Sequence, residues 1–192
     1  LHERLGASFT DFGGWLMPVR YTSDLAEHHA VRRAAGIFDI SHMAEFRIDG
    51  PDAAAFLDRA LAGRLSTMKV GKAKYSLVLA ADGGIVDDVI VYRITDDEFI
   101  VISNAGNRAD VAAAFAAVDP GDARIQDLTD RMSLIAVQGP AARGILESTA
   151  GIAGVDPALA DMTYYSWALG SFQDRSLFVA RTGYTGEDGF EL

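Results

Sequence analysis

Gly83-Gly84-Ile85-Val86-Asp87-Asp88-Val89-Ile90-Val91-Tyr92 sets two adjacent carboxylates inside a run that otherwise reads as a β-strand. Successive side chains on a strand point to opposite faces, so Asp87 shares a face with Ile85, Val89 and Val91, and Asp88 with Val86, Ile90 and Tyr92. Both faces are apolar. At least one carboxylate therefore stands where an unpaired charge is costly, and it needs a partner, a metal or a ligand.

Working outward, Tyr75 to Ala80 and Phe99 to Ser103 alternate in the same way on either side. Asp82-Gly83-Gly84 supplies one turn and Asp96-Asp97 the other, which predicts a three-stranded antiparallel meander. Further out, Phe46-Arg47-Ile48-Asp49-Gly50-Pro51-Asp52-Ala53-Ala54 is echoed by Ile135-Ala136-Val137-Gln138-Gly139-Pro140-Ala141-Ala142-Arg143. Both copies read as strand, Gly-Pro, alanine-rich helix. Each is followed by a tyrosine-led strand (Tyr75-Ser76, then Tyr165-Ser166), a glycine turn and another strand. The pattern predicts a duplicated α+β unit.

Helices are expected at Asp24 to Ala35, capped by Asp24 with Glu27 three residues on and stopped by Gly36, at Asp52 to Ala62 opened by Pro51 and closed by Gly63, and near Asn107 to Val118. The apolar Phe12-Gly13-Gly14-Trp15-Leu16-Met17-Pro18-Val19 reads as a loop pinned into a core.

The 192 residues are 49% hydrophobic and carry a net charge of −10 without a basic run. That excludes a phosphate-neutralising surface, so neither nucleic acid nor an anionic membrane is an expected partner. No cysteine occurs, which removes disulfides, thiolate metal sites and a cysteine nucleophile. No apolar run approaches the ~18 residues of a transmembrane helix and no signal peptide is legible, so a cytoplasmic protein is expected. The chain starts without Met and stops in an apolar run after a turn, which reads as truncation after Leu192.

No metal site is expected. His28 and His29 are adjacent on a helix and do not face one another. His42 lies near Asp39 and Ser41, but no Gly-x-Ser-x-Gly elbow accompanies it. Gly83-Gly84 joins two strands and lacks a phosphate-loop ending. Gly183-Tyr184-Thr185-Gly186-Glu187-Asp188-Gly189-Phe190-Glu191 reads as a glycine-rich hairpin with an acidic tip, or as a loop bringing Tyr184 and Glu191 to a ligand. Asn104 ends a strand, where its amide caps the next helix or reads a ligand edge.

Taken in order, Phe12 to Val19, Phe38-Asp39-Ile40-Ser41-His42-Met43, Gly83 to Asp88, Ser103-Asn104-Ala105-Gly106, Val137-Gln138-Gly139-Pro140 and Gly183 to Gly189 closely resemble the aminomethyltransferase (T-protein) family of the glycine cleavage system. The resemblance runs nearly end to end. It implies an α+β folate-binding domain of duplicated sheet-plus-helix units, with the family's C-terminal barrel absent from this chain. The expected subdomains are 1–48 with 131–192, and 49–130.

By the same resemblance the activity is transfer of the one-carbon unit from the aminomethyl-lipoyl H-protein to tetrahydrofolate, giving 5,10-methylenetetrahydrofolate and ammonia. Asp88 falls on the family's catalytic carboxylate. Met43, Tyr75, Ile102, Asn104, Tyr184 and Glu191 fall on folate-contacting positions, and Tyr164 is a looser match. Ile102 stands where the family more often has Val. Related alternatives are a folate-dependent demethylase and the folate-binding half of a sarcosine or dimethylglycine dehydrogenase. A third is a non-enzymatic folate-binding iron–sulfur maturation factor, whose glycine-rich loop carries a cysteine that this chain lacks.

Overall fold

The computed structural model describes all of residues 1–192. The chain forms two compact α+β units, the first from Leu1–Ile40, Leu134–Tyr164 and Ala168–Leu192, the second from Ser41–Ser133 and Tyr165–Trp167. In chain order the first stretch holds β1 (Ser8–Phe12), β2 (Trp15–Arg20), α1 (Asp24–Arg33) and β3 (Gly36–Asp39). The middle holds β4 (Ala44–Asp49), α2 (Ala53–Ala60), β5 (Ala73–Leu79), β6 (Ile85–Arg93), β7 (Glu98–Ser103), α3 (Arg108–Ala116) and β8 (Arg124–Asp127). The last stretch holds β9 (Ile135–Gln138), α4 (Ala142–Ser148), β10 (Ile152–Asp156), β11 (Trp167–Phe172), β12 (Arg175–Ala180) and β13 (Gly189–Glu191). No helix is long and apolar enough to cross a membrane.

The second unit is a sheet of order β5-β6-β7-β4-β8, and its paired strands all run antiparallel. The meander stands where the alternation predicts it. Gly83 takes φ +87 in the first turn, a left-handed conformation that glycine adopts without steric cost. Helices α2 and α3 cover one face of this sheet. Phe56, Leu57, Val111 and Phe115 pack there on Phe46, Ile48, Val78, Val89, Val91, Phe99 and Val101. The rings of Phe46 and Phe56 meet Phe115 edge to face at 5.5 and 5.7 Å. Each such side chain removed from water contributes roughly 1.5–3 kcal/mol.

The first unit carries a sheet of order β10-β11-β12-β13-β9-β3 and a separate two-stranded hairpin of β1 with β2. Its core joins Val137, Phe190, Val179 and Ala168 to Ala142 and Leu146 of α4. The two Gly-Pro copies match closely. Gly50 and Gly139 take φ +124 and +130. The amide of Gly50 donates to Asp97 O at 2.9 Å and that of Gly139 to Asp188 O at 2.7 Å. A Cβ on Gly139 would stand 2.5 Å from Ala34 O, and one on Gly50 would overlap Asp122 O.

Several local expectations are corrected. Helix α1 is capped by Ser23, whose hydroxyl accepts from Ala26 N, while Glu27 turns back to accept from Tyr21 N and Thr22 N. Gly36 does not stop the helix. It opens β3, and the helix has already ended at Arg33. Tyr165 takes φ 59, which breaks the extended chain, so the strand begins at Trp167 and the following turn is Gln173-Asp174 rather than glycine. Phe12 to Val19 forms the β1–β2 hairpin, with Phe12, Leu16 and Val19 more than half exposed rather than pinned in a core. The boundary expected at residue 48 also differs: β4 belongs to the second unit, because both its hydrogen-bonded neighbours, β7 and β8, are there.

Candidate functional site

The Asp87–Asp88 pair lies on β6, two residues beyond its start. The covering helices make the two faces unequal. Asp87 points into the covered face and is 3% exposed. It accepts from Asn104 N at 2.9 Å, Asn104 Nδ2 at 2.9 Å and Asn107 Nδ2 at 2.6 Å. Donors to an ionised carboxylate are the strong kind, and they offset the desolvation of a charge at the edge of the core. Asp88 points to the opposite face and is exposed. The Asn104 amide reaches it too, donating to its Oδ1 at 3.0 Å. One side chain thus fixes both carboxylates. Asn104 does not cap the following turn through its side chain.

The face that Asp88 shares is a row of apolar groups. Tyr75, Ile90 and Ile102 stand opposite one another across β5, β6 and β7. Directly opposed side chains on such strands are about 5 Å apart, so the three form a continuous wall. Leu77 opposes Asp88 on the same face. Tyr75 is about half exposed, and Ile90 and Ile102 are half-buried. Met43 immediately precedes β4, and Asn104 immediately follows β7. The pairing of Ala44 with Ser103 therefore brings Met43 and Asn104 to the same end of the sheet. Within the second unit, Asp88, Asn104, Met43, Tyr75 and Ile102 form one neighbourhood.

Sequence reasoning missed three members of it. Ile90 sits between Tyr75 and Ile102, and Asn107 holds Asp87 from one turn past Asn104. Glu45 stands opposite Ile102 and extends the row onto β4. It is 3% exposed, and its Oε2 has no hydrogen-bond partner. Burial, with the Asp127 charge nearby, pushes its carboxyl up to about 7. The alternation of Ala44, Phe46 and Ile48 assigns Glu45 to the face turned away from α2 and α3, but nothing local signals that it is buried there.

In the first unit, Glu191 lies on β13 between Ala180 of β12 and Ala136 of β9. The Thr182 hydroxyl donates to its Oε2. Tyr184 is fully exposed at the tip of the connector 181–188, and Tyr164 is more than half exposed. A bidentate pair of Arg181 with Asp188, both bonds 3.0 Å, closes the base of that connector. Arg32 reaches in from α1 to Glu187 at 2.9 Å. Nowhere are three His, Asp or Glu side chains grouped so as to hold a metal ion.

The sequence of these residues matches the GCVT N-terminal domain family over residues 1–192. The chain belongs to that family. The aminomethyltransferase of Corynebacterium jeikeium (strain K411) is 50% identical over 204 residues, covering 100% of this chain and 52% of that protein. That of Cutibacterium acnes is 50% identical over 196 residues, with 100% and 53% covered. This member of the GCVT family therefore spans about half the length of the curated relatives it matches. The crystal structure of glycine cleavage system aminomethyltransferase T from Bartonella henselae superposes with TM-score 0.82 at 35% identity, over 99% of this chain and 50% of that one. The heterotetrameric sarcosine oxidase from Corynebacterium sp. U-96 shares the fold, with TM-score 0.54 at 16% identity over 87% of this chain and 80% of that one.

Proposed function

We propose that the protein is the aminomethyltransferase of the glycine cleavage system, moving the one-carbon unit from the aminomethyl-lipoyl arm of the H-protein to tetrahydrofolate, in the cytoplasm. The observation that carries this reading is the division of labour at Asp87–Asp88. One carboxylate is locked by Asn104 and Asn107, and the other is left exposed beside the Tyr75–Ile90–Ile102 wall. A flat pterin suits an aromatic and aliphatic wall. A fixed carboxylate suits a reaction whose demands are alignment and proton handling.

In the reaction, two folate nitrogens form bonds to the aminomethyl carbon while its bonds to sulfur and to the amino nitrogen break. The two N–H protons leave with the lipoyl thiol and with ammonia. Asp88 is assigned to hold the attacking nitrogen in line and to offset its developing positive charge electrostatically until the proton leaves. Met43, Tyr75, Ile102, Asn104, Tyr164, Tyr184 and Glu191 are assigned to contacts with the folate. The side-chain hydrogen bonds of Asn104 all run through Nδ2, which leaves Oδ1 to accept from the ligand. Glu191 suits the donor edge of a pterin, where a ring N–H and an amino group lie side by side.

The test is Asp88→Asn in the whole gene product, assayed with loaded H-protein and tetrahydrofolate. Turnover is expected to fall at least a hundredfold, with folate affinity within a few-fold of the parent. Undiminished turnover, or a parent protein that works only on methylated amines, would overturn the reading.

A further inference from the structure

Glu191 is held by a chain of contacts that begins in a buried amide. Gln138, on β9, is 1% exposed. Its Nε2 donates to Thr182 O at 3.1 Å and to Phe190 O at 3.4 Å, and its Oε1 accepts from Thr185 Oγ1 at 2.9 Å. One side chain thereby grips the connector 181–188 at its start and middle and holds β13 just beyond its end. Gly183 and Gly189 make room for it. A Cβ on Gly189 would stand 2.6 Å from Gln138 Cδ, and one on Gly183 would overlap Oε1.

With its carbonyl fixed in this way, Thr182 is buried (1% exposed) and aims its hydroxyl at Glu191 Oε2. Across the sheet Glu191 stands between Ala180 of β12 and Ala136 of β9, and its Oε2 accepts from the Thr182 hydroxyl. A carboxylate oxygen has two acceptor directions, so Oε2 can take the Thr182 hydroxyl and a ligand N–H together.

We propose that Thr182 is a positioning residue for ligand recognition. Its hydroxyl sets the plane of the Glu191 carboxylate so that both oxygens meet two adjacent N–H donors on one edge of the ligand. The inference rests on the reading of Glu191 as a pterin contact, and extends it from a residue to the specificity of the site. Two donors side by side need a coplanar acceptor pair, and a carboxylate free to rotate loses that match before it loses charge.

The experiment measures binding of tetrahydrofolate and of its 2-desamino analogue, which lacks one of the two donors, to the whole gene product. The parent is expected to prefer tetrahydrofolate by at least tenfold. Thr182→Val, which keeps the shape and removes the hydroxyl, is expected to weaken tetrahydrofolate about tenfold and the analogue less than threefold, so that the preference collapses. Thr182→Ser restores the hydroxyl and is expected to restore the preference. Equal weakening of both ligands, or failure of serine to rescue, would mark Thr182 as structural and overturn the proposal. So would parent-like binding by Thr182→Val in a protein where Glu191→Gln weakens tetrahydrofolate tenfold or more. If Glu191→Gln itself binds like the parent, the pterin reading of Glu191 falls, and this proposal with it.

Discussion

The two units build the same core topology and spend it differently. In the second, β4 leads through Gly-Pro to α2 and the meander β5-β6-β7, and β4 then pairs with the last meander strand. In the first, β9 leads through Gly-Pro to α4 and, after β10, to β11-β12-β13, and β9 pairs with β13. The outer neighbour differs in chain position: β8 follows its meander, whereas β3 precedes β9. Between the second and third meander strands, one unit has the short turn at 94–97 and the other the connector 181–188. The position before Gly-Pro follows suit. Asp49 pairs at the surface with Arg124, while Gln138 is buried under the longer connector. A duplicated frame thus keeps its glycines and varies the residues that the frame presents.

The largest effect tests the shared frame. Gly50→Ala and Gly139→Ala each force a side chain into a left-handed backbone conformation and against a backbone carbonyl. Each is expected to cost on the order of 4 kcal/mol in urea unfolding of the whole gene product. A large loss in one copy and none in the other would break the equivalence of the two Gly-Pro corners.

Next comes the contrast inside the second unit. Asp87→Ala strips three donor groups of their acceptor and is expected to cost about 3 kcal/mol, whereas Asp88→Ala, on the exposed side, is expected to cost under about 1 kcal/mol. Equal losses in the two variants would erase the distinction between a structural and a presented carboxylate.

Glu45 should impose a pH dependence on the same unit. Its folded value near 7 exceeds its ordinary 4.5, so below 4.5 both states are protonated and nothing is lost. Between 4.5 and 7 the unfolded chain releases a proton that the folded chain keeps, so stability falls as pH rises, and the penalty is complete above 7. Glu45→Gln is expected to raise stability at pH 8 by roughly 2 kcal/mol and to flatten that slope. Parent and variant curves that run parallel from pH 4 to 8 would show that Glu45 is not the cause.

The smallest effect is at the surface. Asp49→Ala removes the pair with Arg124, 2.6 Å apart on the edge of the sheet, and is expected to cost less than about 1 kcal/mol, with the difference shrinking in high salt. A cost above 2 kcal/mol would mean that Asp49 grips its unit as Gln138 grips the other.

Much of this was legible residue by residue. The alternation of β5, β6 and β7 and the glycine turn at Gly83 predicted the meander, since period two and a positive φ are local properties. The matched Gly-Pro corners were legible as a repeat. Ser23 in place of Asp24 as the cap, the early end of α1 and the kink at Tyr165 were not, because each depends on which backbone groups happen to lie within reach. The exposed β1–β2 hairpin misled because large apolar side chains carry no mark of whether anything covers them. Glu45 was passed over for the converse reason: a charged residue on the face away from the helices carries no mark of being buried.

By itself the sequence determined that Asp87 and Asp88 face opposite ways, because pleating leaves a strand no other choice. It also showed the same Gly-Pro corner twice, and the structure gives the reason, with φ at +124 and +130. Only the tertiary structure decided which carboxylate would be enclosed. Phe56 and Phe115 come from helices on either side of the meander in sequence, and they cover the Asp87 face alone. Asn104 and Asn107 then arrive from the end of β7 to hold it. Burial and hydrogen-bond partners are set by residues distant in the chain, so the period-two rule could separate the two aspartates while only packing could tell them apart.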